Sequence, residues 1–109
     1  MSEAGRLYFA TGVDIDPAAE DEFNEWYDTD HLPSVVACPG FLWGCRYRVD
    51  HRDSPRYWVV YEVESREALK TPELEAISGW GRFADAIGNQ QIRWFRSLTP
   101  IVRHDPAPE

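Results

Sequence analysis

The sequence lacks several features that would assign a function class directly. It has no apolar run of about 18 residues, so no segment is predicted to cross a membrane as a helix. Residues 1–6 lack the basic-then-apolar order of a secretion signal, and we therefore expect a cytoplasmic location. No phosphate-binding loop, dinucleotide-binding glycine pattern or nucleophile motif is present.

Cysteine and histidine are scarce. Cys38 and Cys45 form no C-x-x-C pair and have no histidine at zinc-site spacing, so we expect two reduced thiols. Haem commonly takes an axial histidine, and of the three histidines His51 lies in a polar turn and His104 in the tail. Only His31 remains as a haem ligand, and no cluster suits a catalytic metal. We therefore predict neither a cofactor nor a metal.

Lysine is almost absent, and the chain is acidic. It has 11 basic and 19 acidic side chains, a formal net charge of −8, and Lys70 is its single lysine. Nine acidic residues and one arginine fall within residues 1–30, so this stretch holds the whole imbalance. Nucleic acid and anionic membranes need a basic surface, and neither is predicted as a partner. An acidic patch can recruit a basic partner, but a solvated helix face is the simpler interpretation.

The length predicts one folded domain. A chain of 109 residues with 43% hydrophobic and 14% aromatic side chains can bury a core and is not expected to be disordered. We predict a single domain over residues 1–109, with a frayed tail over 104–109.

Local patterns predict six regular elements in the order β-α-β-β-α-β. Asp16 and Pro17 suit the start of a helix, whereas Leu32 before Pro33 predicts its interruption. This order is typical of an α+β, ferredoxin-like fold, a four-stranded antiparallel sheet with both helices on one face. The predicted strands cover 7–13, 41–49, 56–64 and 90–101, and the helical segments cover 17–30, 33–37 and, unevenly, 65–87.

Apolar residues on both faces of the sheet point to an assembly. Phe41, Trp43, Cys45 and Tyr47 alternate onto one face of the second strand. The third strand is apolar on one face and mostly apolar on the other, although a sheet with one wet face should alternate into polar residues. A second copy covering the bare face explains the pattern, and a monomer with an exposed patch is the alternative.

One stretch carries candidate chemistry. On a helix, Asn24, Tyr27 and His31 share a face, and Asp28 lies three residues before His31, where it can orient the ring. A histidine held by a carboxylate beside apolar rings suits general acid–base chemistry. The alternative is that His31 braces the helix end before Pro33.

The residues of this stretch resemble a known family. FNEWYDTDHLP at 23–33, followed by CPGF at 38–41, resembles the EthD-like branch of the dimeric α/β-barrel superfamily, as does RYWVVYE at 56–62. The resemblance covers residues 7–64 well and is loose beyond. It implies a homodimer whose sheets form a barrel, with a pocket between sheet and helices in each subunit. Relatives include cofactor-free monooxygenases, polyketide cyclases, isomerases, lyases and haem-handling proteins, so the resemblance identifies a scaffold and not a reaction.

The resemblance also implies site residues. The motif's histidine is His31, its asparagine Asn24, and its Trp-Tyr pair Trp26 and Tyr27. Each aromatic residue among the candidates can equally be plain core. The predicted catalytic residues are His31, Tyr27 and Tyr61, and the predicted substrate-binding residues are Asn24, Phe9, Phe23, Val59, Trp80 and Phe83, with Leu7, Thr11 and Val63 as further pocket wall.

The second half departs from the pattern. Residues 78–82 contain no histidine, although some relatives place a catalytic one there, so His31 would act with a tyrosine or with Arg46, Arg93 or Arg96. We expect a cofactor-independent enzyme acting by acid–base chemistry on a hydrophobic aromatic or polyketide-like molecule, of isomerase, cyclase, dehydratase or lyase type. The alternatives are cofactor-free oxygenation of an electron-rich ring and a non-catalytic ligand-binding protein.

Overall fold

The computed structural model describes residues 4–105, and most of the predicted 104–109 tail lies outside this range. Its strands are β1 (Leu7–Ile15), β2 (Phe41–Arg48), β3 (Tyr57–Val63) and β4 (Ile87–Arg96). Its helices are α1 (Glu20–Trp26), a π-helical turn (Tyr27–His31), α2 (Leu32–Val36) and α3 (Pro72–Ile77), with 3₁₀ turns at Pro17–Ala19, Arg66–Lys70 and Gly81–Ala86.

The sheet has the predicted ferredoxin-like topology. Its strand order is β2-β3-β1-β4, and all neighbouring strands are antiparallel. The helices cover one face, where Phe23 and Leu74 pack into a single core with Val59 and Tyr61 of β3. The fold class predicted from the order of elements is therefore confirmed.

The first helical segment starts as predicted but does not stop at Pro33. Asp16 Oδ1 accepts a hydrogen bond from the Ala18 N–H at 3.0 Å, which caps the start. The predicted interruption before Pro33 is wrong, because the chain widens into a π turn in which the Leu32 N–H bonds to the Tyr27 carbonyl. Pro33 has no N–H to contribute, and it occupies the first turn of α2, where none is needed.

A bulge in β2 reverses part of the predicted face pattern. Phe41 pairs with Val63 and Trp43 pairs with Glu62, so two steps on β2 match one on β3. The extra residue, Leu42, turns Phe41 toward the helices while Trp43 stays on the outer face. The prediction that Phe41 and Trp43 share a face is therefore wrong, since one inserted residue shifts the alternation by one.

The last strand lies earlier in the chain than predicted. It spans Ile87–Arg96 rather than 90–101. The predicted stop at Gly88 and Asn89 lies inside the strand, because β1 has its own irregularity between Gly12 and Asp14 and Asn89 adopts φ 49°. The strand ends where β1 begins, since Arg96 pairs with Leu7.

The outer face of the sheet exposes aromatic side chains. Tyr47 is 49% exposed and Phe95 51% exposed, whereas Glu62 on the same face is buried, bonded to Arg6 and to the Trp43 indole. No helix in residues 4–105 is long and apolar enough to cross a membrane.

Candidate functional site

The π turn positions His31 among aromatic rings. The His31 imidazole stacks on the Trp26 indole with centroids 4.7 Å apart and meets the Tyr27 ring edge-on at 4.9 Å. A π turn aligns residues five apart, because its hydrogen bonds join residue i to i+5, and Trp26 and His31 have this spacing. The local geometry thus packs the apolar faces of the imidazole between Trp26 and Tyr27.

Burial favours the neutral form of His31. The side chain is 7% exposed, and burial lowers its pKa, while the Asp30 carboxylate raises it in part. Neither ring nitrogen has a hydrogen-bond partner within residues 4–105. A neutral imidazole with free nitrogens can accept a proton or bind a ligand group.

Asp28 and Asn24 accept hydrogen bonds from Arg46 rather than orienting the histidine or lining the cavity. The Arg46 guanidinium donates to Asp28 Oδ1 at 2.7 Å and to Asn24 Oδ1 at 2.9 Å, and its Cζ lies 4.5 Å from the Tyr27 ring centroid. The suggestion that Asp28 orients His31 is therefore wrong, because its carboxylate is engaged by an arginine from β2. Asn24 contacts Arg46 and does not line the cavity described below.

Two buried tyrosines meet behind the cavity. The hydroxyl oxygens of Tyr27 and Tyr61 lie 3.4 Å apart. Burial raises the pKa of both hydroxyls, and the nearby Arg46 charge offsets this only in part. Both tyrosines are therefore protonated near neutral pH and can donate hydrogen bonds but not act as bases.

A cavity of about 250 Å³ lies between the sheet and the helices. Five of the pocket residues named from the sequence line it, namely His31, Tyr61, Phe9, Trp80 and Thr11. The others do not: Tyr27, Phe23 and Val59 border a separate void of about 10 Å³, and buried Phe83 packs edge-on against Phe23. Leu7 and Val63 are buried in the core instead.

The rest of the cavity lining comes from residues that the sequence analysis did not assign to the pocket. Val35, Phe41, Leu69 and Leu74 form apolar wall, and Ser78, Gly79 and Gln90 form an exposed rim. Leu69 and Leu74 are five residues apart in separate helical elements, so helical spacing gave no signal for either, and only their apolar character marked them. Gln90 gave no such signal either, because it is polar and lies where the pairing of β4 with β1 shifts register.

Trp80 reaches the cavity because its neighbours are glycines. Gly79 and Gly81 adopt φ values of 97° and 54°, which other residues rarely do, and these turn the chain between α3 and the last 3₁₀ turn. The Trp80 ring lies 6.0 Å from the Tyr27 ring and 6.4 Å from the His31 ring. This agrees with the expected position of Trp80 over the pocket.

Metal ligands are not grouped at this site. Residues 4–105 contain no cluster of three or more histidine, cysteine or acidic side chains suited to a metal ion. His31 is the one histidine that lines the cavity, and the remaining lining is apolar or uncharged. The arrangement offers one proton acceptor, one tyrosine donor and an apolar chamber.

Comparison with known protein families and sequences gives one match. The profile of a family described as a domain of unknown function (DUF4286) matches residues 6–97. No curated protein matches the sequence significantly.

Solved structures share the fold. The heme-degrader MhuD from Mycobacterium tuberculosis, with two hemes in its active site, is similar at TM-score 0.67 and 21% identity over 88% of this chain and 99% of that one. A Caulobacter crescentus CB15 protein named for the antibiotic biosynthesis monooxygenases has TM-score 0.62 and 21% identity over 89% and 93%. An EthD family protein from Bacillus halodurans C-125 has TM-score 0.60 and 16% identity over 81% and 96%.

Proposed function

This chain belongs to the DUF4286 family of domains of unknown function, and we propose that it is a small enzyme using acid–base chemistry on a hydrophobic ring compound. The observation that carries the proposal is His31: a buried imidazole, held neutral, that lines an apolar cavity with both nitrogens free of partners within residues 4–105. The resemblance of residues 23–33 to the EthD-like branch supports the same residue.

The proposed chemistry is proton transfer within the substrate. A neutral His31 accepts a proton from an acidic C–H or O–H of the substrate, and the imidazolium returns it to another substrate atom. Tyr61, kept protonated by burial, donates a hydrogen bond to the substrate oxygen on which negative charge develops. Tyr27 holds the Tyr61 hydroxyl from behind, 3.4 Å away. Isomerisation, cyclisation and elimination all fit this transfer.

The cavity limits the size of the ligand. Benzene occupies an engineered cavity of about 150 Å³, and drug-sized ligands take about 300–1,000 Å³. The cavity of about 250 Å³ therefore suits one or two rings. A haem has four pyrrole rings and is larger than this cavity, so the cavity does not fit it, although His31 is of the residue type that ligates haem iron.

Two other functions use the same site. In cofactor-free oxygenation, His31 would take a phenolic proton, and the electron-rich anion formed would itself reduce dioxygen. The monooxygenase names of several structural neighbours favour this version. A binding protein would keep the cavity and the ligand without turnover.

The test combines a ligand screen with one matched pair of variants. A library of one- and two-ring metabolites is screened by thermal shift, and each hit is followed by NMR under air and under argon. We expect His31→Gln to lower turnover by at least about 100-fold while the dissociation constant changes little. His51→Gln, in the exposed turn after β2, is the control and keeps the wild-type rate.

Each outcome discriminates between these functions. Turnover only under air supports oxygenation, and binding without turnover supports a binding protein. Turnover that survives His31→Gln overturns the assignment of His31.

We also propose a single-domain homodimer. The exposed Tyr47 and Phe95 belong to a mostly apolar outer sheet face around an open depression of about 420 Å³. Its other lining residues are Ala10, Val49, Trp58 and Val60, with Arg48 and Arg93. A second copy packed sheet to sheet would remove this apolar surface from water.

A further inference from the structure

We propose that Thr11 binds an uncharged oxygen substituent of the ligand, so that the substrate is a hydroxy or keto compound of one or two rings. This inference rests on the proposed function, because it assumes that the cavity lined by His31 takes a hydrophobic ring. It adds the chemistry of the substituent and the direction in which the ligand lies.

The first observation is that the Thr11 hydroxyl is buried without a hydrogen-bond partner. Thr11 lies on β1, in the middle of the sheet, and is more than nine-tenths buried in the cavity wall. Its hydroxyl oxygen is the single buried side-chain nitrogen or oxygen without a hydrogen-bond partner within residues 4–105. A buried hydroxyl without a partner is unfavourable for the free protein, so a ligand oxygen that pairs with it gains affinity.

The hydroxyl has a route to the ligand. Thr11 separates the cavity from the small void bordered by Tyr27 and Arg46. Rotation about the Cα–Cβ bond moves the hydroxyl from one staggered position to another, and rotation about the Cβ–Oγ1 bond redirects its hydrogen. The hydroxyl can therefore turn to meet a ligand oxygen in the cavity.

The charge of the lining is the second observation. The lining contains no lysine, arginine, aspartate or glutamate. Arg46 approaches the Tyr27 ring but does not reach the cavity. A carboxylate or phosphate on the ligand would lose its hydration with no opposite charge to replace it, which is costly. A hydroxyl or carbonyl loses far less and finds a partner in Thr11.

The distribution of exposure gives the orientation. The buried polar residues of the lining are Thr11, His31 and Tyr61, whereas Ser78 and Gln90 on the rim are exposed. A ligand that satisfies the buried groups therefore enters with its oxygen first and leaves its apolar end toward the rim. Its oxygen is then in the part of the cavity that contains His31.

The experiment compares three probes that share the same two-ring naphthalene skeleton and differ only in the substituent. The dissociation constants of 2-naphthol, naphthalene and 2-naphthoate are measured by calorimetry on the wild-type protein and on Thr11→Val and Thr11→Ser. Valine keeps the shape and removes the hydroxyl, and serine keeps the hydroxyl. Thr99→Val makes the same change at an exposed position away from the cavity.

We expect the wild type to prefer 2-naphthol over naphthalene by about three- to tenfold, the effect of one net hydrogen bond, and to bind 2-naphthoate most weakly. Thr11→Val should abolish the preference, whereas Thr11→Ser and Thr99→Val should keep it. Nuclear Overhauser contacts from the Thr11 methyl group to the probe protons beside the hydroxyl test the same contact in the wild type, whatever the stability of the variants.

Three results would overturn the inference: equal affinity for naphthol and naphthalene, a preference that persists in Thr11→Val, or methyl contacts to the distant ring. In each of these the cavity still binds a ring, so the proposed function survives. Binding of no probe at all would instead count against both.

Discussion

The imidazole of His31 lies parallel to the indole of Trp26, with centroids 4.7 Å apart and planes 15° apart. The π turn creates this stack, because it aligns two residues that a regular helix would place on different faces. Two opposing effects act on the imidazole. A negative charge at Asp30 and a stacked indole favour the imidazolium, whereas burial disfavours it, and burial outweighs Asp30 so that the pKa is lowered.

The first prediction concerns pH. Because the His31 pKa is lower in the folded chain than its ordinary 6.5, the unfolded chain binds more protons in the interval between the two values. The contribution of neutral His31 to the free energy of unfolding should then be fully present above pH 6.5 and be lost as the pH decreases through that interval. His31→Gln should flatten this part of the profile, measured by urea unfolding between about pH 7.5 and about pH 5.

The matched control for pH is His51→Gln, at an exposed position. This variant should keep the pH dependence that His31 gives to the free energy of unfolding. An NMR titration gives the His31 pKa directly, and Asp30→Asn should lower it further because a charge that raises it is lost. Parallel stability profiles for wild type and His31→Gln would contradict the prediction.

The second prediction concerns Gly44, which makes room for Tyr61. A Cβ at Gly44 would lie 2.6 Å from Tyr61 Cδ1 and 3.1 Å from Leu32 Cδ1. Gly44→Ala should therefore displace the Tyr61 ring, cost about 1–3 kcal/mol of unfolding free energy and weaken ligand binding in the cavity. Gly88→Ala is the control, because nothing lies within 4 Å of its added Cβ. A stable Gly44→Ala variant with unchanged ligand affinity would show that Tyr61 does not depend on this gap.

The third prediction concerns the stability of the protein without ligand. Thr11 Oγ1 is buried without a partner, and an unsatisfied hydroxyl costs about 1–3 kcal/mol. Thr11→Val keeps the volume and removes this cost, so its melting temperature should rise by several degrees. Thr99→Val, which is exposed, should change it little. A fall in the Thr11→Val melting temperature would mean that the hydroxyl is already satisfied in the free protein.

The fourth prediction concerns the assembly. Light scattering should give a mass twice the 12.6 kDa of one chain. Phe95→Glu puts a charge on the outer sheet face and should give monomers, because an unpaired charge in that interface is costly. Ile92→Glu is the matched control: Ile92 is 50% exposed and Phe95 51% exposed on the same strand, but Ile92 pairs with Thr11 and faces the helices. A wild-type mass of 12.6 kDa would exclude the dimer.

The sequence by itself determined the elements and their order. Asp16 with Pro17 begins the first helical segment at the predicted place, and Thr71 with Pro72 begins α3 in the same way, because a cap needs only a side-chain oxygen and the next few amides. Alternating apolar residues gave the strands, and the order of elements then left few antiparallel arrangements. The family resemblance, and not the local pattern, pointed to His31 and Trp80 as pocket residues, and both line the cavity.

Tertiary structure decided what depends on an insertion or on a partner distant in sequence. The π turn before Pro33 and the extra residue Leu42 each shift a face by one position, which periodicity alone does not reveal. Arg46 approaches Asn24 and Asp28 only because β2 folds beneath α1, so their spacing from His31 was misleading. Whether a side chain lines the cavity or the adjoining core is likewise set by packing between distant elements. For this reason only the folded chain separates Tyr61 at the cavity from Tyr27 directly behind it.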